Sequence, residues 1–121
     1  MNPTASPPFR LGIIGTGIVA GLHLDAIDAF PDVELIAVCD VDAVRAAEAA
    51  KRFGAQAWQD YREMLATAQL DGVIITSPHA LHTEMALAAA KVGIAILLEK
   101  PMATTLPDAD SIIQACARAG V

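Results

Sequence analysis

Short apolar runs alternate along the whole chain with segments of helical period, and the stretches that join successive runs are too long for hairpins. Strands joined in this way must run parallel, with the crossover helices covering both faces of the sheet. The chain therefore reads as α/β, with a doubly wound parallel sheet of about five strands. The strands are expected at Phe9 to Ile14, Glu34 to Cys39, Gln56 to Trp58 (a short edge strand), Gly72 to Thr76 and Ile94 to Leu98. Helices are expected from Gly17 or Ile18 to about Phe30, after Asp42 to about Phe53, from Asp60 to about Ala66, from Ala80 to Val92 and from Leu106 to Ala119. Asp42 serves as an N-cap, Gly54 and Gly93 as stops, and Thr105 with Asp108 as a capping box. Helical spacing assigns Val19, Leu22, Ala26 and Phe30 to the buried face of the first helix. It assigns Leu81, Met85, Ala88 and Val92 to the buried face of the fourth, and Ile112, Ile113, Cys116 and Ala117 to that of the last.

The first strand runs directly into Gly15-Thr16-Gly17-Ile18-Val19-Ala20, a G-x-G-x-x-A turn that opens a helix. Gly15 permits backbone angles that a side chain forbids. Gly17 lets a phosphate approach the backbone, and Ala20 lets the helix pack closely on the strand. The helix start presents unpaired N–H groups and the positive end of a dipole, which suits a pyrophosphate. Asp40 ends the second strand about 20 residues further on, where an acid can accept hydrogen bonds from both hydroxyls of an adenosine ribose. Its charge would repel a 2′-phosphate by a few kcal/mol on the order-of-magnitude scale of close like charges, so NAD is favoured over NADP, with Arg45 softening the preference.

Ligands in such sheets bind beyond the carboxyl ends of the strands. Thr76, Ser77 and Pro78 follow the fourth strand, and Glu99, Lys100 and Pro101 follow the fifth, so both groups share a rim with the glycine turn. A lysine there could hydrogen-bond a substrate hydroxyl and share its proton, provided partial burial and the positive charge of an oxidised nicotinamide lower its pKa enough to leave the amine neutral. His79 and His82 lie three apart at the start of a helix, without matching ligands for a metal, and no metal site is expected. His82 is expected to line the cofactor groove, His79 to be partly exposed and His23 to be structural or peripheral. No Ser–His–Asp arrangement is apparent.

The formal net charge of −6 argues against a nucleic-acid or anionic-membrane surface. No uncharged apolar run reaches the length of a membrane helix, and the proline-rich start, residues 1–8, lacks the pattern of a signal peptide and reads as a flexible tail. A cytoplasmic location follows by default. Cys39 and Cys116 form no C-x-x-C pair and are expected to be buried, reduced thiols.

In this order, Gly12-Ile13-Ile14-Gly15-Thr16-Gly17, Cys39-Asp40, Thr76-Ser77-Pro78-His79-Ala80-Leu81-His82 and Glu99-Lys100-Pro101 resemble the glucose–fructose oxidoreductase/inositol dehydrogenase (Gfo/Idh/MocA) family. The resemblance covers nearly the whole chain from Phe9, and the Glu-Lys-Pro triplet is its most specific element. It implies a three-layer Rossmann domain over residues 9–121, strand order 3-2-1-4-5, that binds NAD or NADP. It implies that Lys100 is the catalytic lysine, that Glu99 helps hold the nicotinamide ribose, and that Thr76, Pro78 and His82 line the groove. With Gly15, Thr16, Gly17, Ile18, Val19, Asp40, Ser77, His79, Lys100 and Pro101 these make the expected cofactor site. His79 departs from the asparagine common in the family.

Members of the family oxidise a sugar, inositol or related polyol, or run the reverse, by hydride transfer. They carry a second, C-terminal α/β domain that supplies most substrate contacts; it is absent from this sequence. The chain is therefore expected to be a nucleotide-binding domain, catalytically incomplete alone, that binds NAD weakly, meets a polyol substrate only together with the missing domain, and self-associates through apolar surface. The alternative is a stand-alone NAD-binding or redox-sensing module without enzymatic activity.

Overall fold

The computed structural model describes residues 5–121. Five strands, β1 (Phe9–Ile14), β2 (Val33–Cys39), β3 (Gln56–Trp58), β4 (Gly72–Ile75) and β5 (Ala95–Leu98), form one sheet in the order β3-β2-β1-β4-β5. Every pairing is parallel. The helices are α1 (Ile18–Ile27), α2 (Ala43–Phe53), α3 (Tyr61–Thr67), α4 (His82–Lys91) and α5 (Leu106–Ala119). The expected strand order and helix sequence are both present. The expected tail at residues 1–8 lies partly outside the described residues; residues 5–8 are exposed and have no regular structure.

Two cores make the three layers. On one face Ile13, Leu35, Val38 and Ile74 meet Ala20, Leu24 and Ile27 of α1 and Ala50 of α2. On the other, Ile14, Ala37, Cys39, Val73 and Ile75 meet α3, α4 and α5 through Met64, Met85, Ala86, Ala89 and Ile112. The central strand β1 contributes Ile13 to one core and Ile14 to the other, as alternation along a strand requires. Burying each such isoleucine stabilises the fold by about 1.5–3 kcal/mol.

Three helix faces differ from expectation. In α1 the buried residues are Ala20, Leu24 and Ile27, whereas Val19, Leu22 and Phe30 are exposed and α1 already ends at Ile27. The small Ala20 has to face the strand at the close approach just after the turn, and that sets the helical phase; positions 24 and 27 follow it one and two turns on. In α4 the buried face is His82, Met85, Ala86, Ala89 and Ala90, and Val92 lies outside the helix, half exposed. Alanines let α4 lie close to both the sheet and α5, which the larger side chains on the expected stripe would not. The helix is also preceded by a separate 3-10 turn, His79–Leu81, instead of starting at Ala80. In α5 only Ile112 is fully buried; Cys116 is half-buried and Ile113 and Ala117 are exposed beside the edge strand β5. No helix of the described residues is long and apolar enough to cross a membrane.

Candidate cofactor site

Parallel strands with helices on both faces bring all the carboxyl ends to one rim, and the glycine turn sits at its centre. Gly15 has φ +93°, and its N–H donates to the Cys39 carbonyl at 2.8 Å. A Cβ on Gly15 would stand 2.8 Å from the backbone nitrogen of Ser77. The turn is thus pressed against the loop that follows β4, and glycine is required there for both conformation and space. Thr76 tightens this contact: its hydroxyl donates to the Gly15 carbonyl at 2.7 Å. Gly17 differs. A Cβ there would meet nothing within 4 Å among the described residues, so the protein itself does not need a glycine at this position. Gly17 is the N-cap of α1 and supplies no side-chain cap, which leaves the first N–H groups of the helix, on exposed Ile18 and Val19, without a side-chain partner.

Asp40 faces this turn across the end of β2. One carboxylate oxygen accepts from the Thr16 N–H at 3.0 Å and the Thr16 hydroxyl at 2.5 Å; the other accepts from the Asp42 N–H at 2.9 Å. Burial pushes the Asp40 pKa up, but the bonds from the Thr16 hydroxyl and from the Asp42 and Thr16 amides outweigh it, with help from the charge of Arg45, and hold the carboxyl below its ordinary value. Asp40 is therefore ionised at neutral pH. A carboxylate has about four acceptor positions. Three are filled here, so two ribose hydroxyls can be accepted only if the Thr16 hydroxyl turns away. Thr16 is placed to hold the acid rather than to reach outward.

Two hollows flank the turn. One is apolar, about 120 Å³, and is lined by Gly15, Asp40, Val41, Tyr61, Pro78 and Leu81, among others. The second is lined by Val19, Thr76, Ser77, His79, His82, Glu99 and Lys100. Ser77 borders both, and its buried hydroxyl has no hydrogen-bond partner among the described residues. An uncapped helix start, an open position at Gly17, an ionised acid at the β2 end and an orphaned hydroxyl between two hollows fit a dinucleotide laid across the rim.

The structure brings the expected residues to one rim but gives them unequal freedom. His82 lines the second hollow yet is fully buried, with both ring nitrogens against backbone carbonyls: Nδ1 lies 2.8 Å from the Pro101 oxygen and Nε2 2.9 Å from the Ser77 oxygen. His79 is exposed, with its ring 5.6 Å from that of His82. Lys100 is exposed, and its N–H donates to the Glu99 carboxylate at 2.9 Å. His23, expected to be structural or peripheral, does not line the hollow but contacts a residue that does: its Nε2 lies 3.3 Å from Glu99 Oε1. The signal for it was its position one helical turn after Val19, on the face that borders the hollow. The Lys100 amide and the His23 ring hold the Glu99 carboxyl below its ordinary pKa. Cys39 is free and buried; burial, with the nearby charges of Asp40 and Asp60, pushes its thiol up to about 12, so it is inert.

Residues 9–121 match the family model described as "Oxidoreductase family, NAD-binding Rossmann fold" (GFO_IDH_MocA). The chain belongs to this family. It is an NAD-binding Rossmann domain. Among its relatives, D-apiose dehydrogenase of Paraburkholderia graminis is 37% identical over 114 residues, covering 93% of this chain and 30% of that protein. The scyllo-inositol 2-dehydrogenase (NADP(+)) of Bacillus subtilis is 38% identical over 113 residues, covering 93% of this chain and 34% of that protein. Among solved structures, the WlbA dehydrogenase from Bordetella pertussis, in complex with NADH and UDP-GlcNAcA, superimposes with a TM-score of 0.90 at 32% identity, covering 94% of this chain and 36% of that one. The chain thus spans about a third of the length of these curated relatives.

Proposed function

We propose that this domain is the cofactor half of an oxidoreductase that interconverts a CH–OH group and a carbonyl on a sugar, inositol or related polyol. The observation that carries the reading is the placement of Lys100 and Glu99 on the same hollow as Val19, at the uncapped start of α1. A lysine amine beside a dinucleotide site can exchange a proton with a substrate hydroxyl once the positive charge of an oxidised nicotinamide lowers its pKa. The relatives named above act on sugars and inositols, which points to the same substrate class.

In this reading the N–H groups of Ile18 and Val19 hold the pyrophosphate, Asp40 the adenosine ribose and Glu99 the nicotinamide ribose. Pro78 and Leu81 shield the apolar hollow from water. When bound, the nicotinamide ring supplies the hydride acceptor. The Lys100 amine takes the proton of the substrate hydroxyl as the carbon–oxygen double bond forms, and returns it in the reverse direction. The domain contributes one wall of the substrate site. The rest of that site belongs to a second domain, so the chain by itself is expected to bind cofactor without turning over a polyol. Cytoplasmic residence and self-association are part of the same proposal. The second rests on the exposed apolar surface around β5 and α5, where Leu97, Met102 and Ile113 reach solvent.

Titration of the purified chain with NADH and NADPH, followed by cofactor fluorescence, tests the binding claim. Saturable NADH binding, weaker for NADPH, is expected; no NADH binding at about millimolar concentration overturns it. Robust polyol dehydrogenase activity from this chain alone overturns the claim of incompleteness, and a monodisperse monomer at high concentration in light scattering overturns self-association.

A further inference from the structure

The Glu99–Lys100–Pro101 turn leaves the sheet with little backbone support. The β4–β5 ladder ends where the Glu99 N–H donates to the Ile75 carbonyl at 3.1 Å. The next N–H, on Lys100, donates to the side chain of Glu99, and Pro101 has no N–H. Two histidines from different helices make up the deficit. His23 of α1 reaches Glu99 Oε1, while the other oxygen of the same carboxylate accepts from Lys100. His82, the first residue of α4, faces the Pro101 carbonyl with one ring nitrogen and the Ser77 carbonyl with the other. A neutral imidazole has one N–H for these two oxygens and the imidazolium has two.

Both anchors lead back to the glycine turn. His23 stands on the helix that this turn begins. Ser77 is the residue against which Gly15 is pressed. Lys100 is therefore flanked by a residue tied to α1 and a residue tied to α4, while its own side chain stays exposed. We propose that His23 and His82 are positioning residues that bracket the Glu99–Lys100–Pro101 turn and set the Lys100 backbone relative to the cofactor turn. The use made of Lys100 rests on the function proposed above; the bracket itself is a statement about these contacts.

The Lys100 amide reports on it directly, by hydrogen exchange in NMR of the whole chain. In His23→Ala the Glu99 carboxylate loses its outer anchor, and Lys100 exchange is expected to quicken about tenfold. His23→Gln, whose amide can still donate, is expected to restore most of the protection. His82→Leu removes both carbonyl partners and is expected to quicken Lys100 as well. The amides of Ile13 and Ile75 in the core strands serve as internal controls and should hold. Unchanged Lys100 exchange in both His23→Ala and His82→Leu overturns the bracket, as does acceleration shared equally by Ile13 and Ile75. NADH binding by the parent chain is a separate reading: its absence breaks the cofactor assignment and leaves the exchange result decisive for the bracket.

Discussion

Two helices on the same side of the sheet begin in opposite ways. At α2, the Asp42 carboxylate accepts from the N–H groups of Val44 and Arg45 at 3.0 and 3.2 Å. Asp60 and Thr105 cap α3 and α5 in the same manner. At α1 the cap position is Gly17, which has no side chain to offer. A carboxylate or hydroxyl cap is worth about 1 kcal/mol to a helix, and it fills the place where an external anion would bind. α4 also lacks a side-chain cap, at Leu81, but the 3-10 turn His79–Leu81 leads straight into it; α1 starts uncapped directly from the glycine turn, opposite Asp40. The difference separates helix starts closed by their own side chains, at α2, α3 and α5, from a start at α1 left open toward the rim.

That contrast can be broken in order of effect. The largest loss is expected from Gly15→Ala, which combines a positive φ with a Cβ 2.8 Å from the Ser77 backbone. It should cost about 3 kcal/mol of stability in denaturant unfolding. A loss below about 0.5 kcal/mol would show that the turn is not pressed against this loop. Gly17→Asp makes α1 begin as α2 does. Because a side chain there meets open space, stability should change by less than about 0.5 kcal/mol, while NADH affinity falls at least about tenfold. Unaltered affinity would remove the pyrophosphate from this helix end. The reverse experiment, Asp42→Ala, should cost about 1 kcal/mol and leave NADH binding in place, since the Asp42 N–H that steadies Asp40 belongs to the backbone.

The smallest effect is expected from Thr16→Val. Without the Thr16 hydroxyl, burial has less opposing it, and the Asp40 pKa should rise. The sign of the pH dependence follows. The folded pKa of Asp40 lies below its ordinary value, so its contribution to stability is full above pH 3.8 and is lost as pH falls through the depressed value. In Thr16→Val that loss should begin at higher pH, while NADH affinity should hold within about threefold, because the acceptor position freed on Asp40 is open to a ribose hydroxyl. A carboxyl-carbon NMR titration of Asp40 in both proteins checks the shift.

Much of this molecule was legible in the chain. Apolar runs such as Ile13-Ile14 and Ile74-Ile75 mark strands buried on both faces, and Asp42, Asp60 and Gly54 punctuate the helices by local rules. The glycine turn and Asp40 could be paired because their separation follows from one crossover unit. Helix faces were harder. Val19, Leu22 and Phe30 form as good an apolar stripe as Ala20, Leu24 and Ile27, and the choice depends on how closely the helix approaches the strand. His82 and His23 were harder still. A histidine's role depends on which acceptors surround its ring, and those come from Ser77, Pro101 and Glu99 on other elements.

The sequence by itself determined the parallel α/β architecture, the order of its elements and the type of ligand site. These follow from periodicity, connection length and glycine stereochemistry, all of which are local. Only the tertiary structure decided which residues are free to meet a ligand and which hold the site together. Thr16 is bound to Asp40, Thr76 to the glycine turn and His82 to two carbonyls, whereas Gly17 and Lys100 are left open. Hydrogen-bond capacity is finite, and how each group's share is used depends on neighbours distant along the chain.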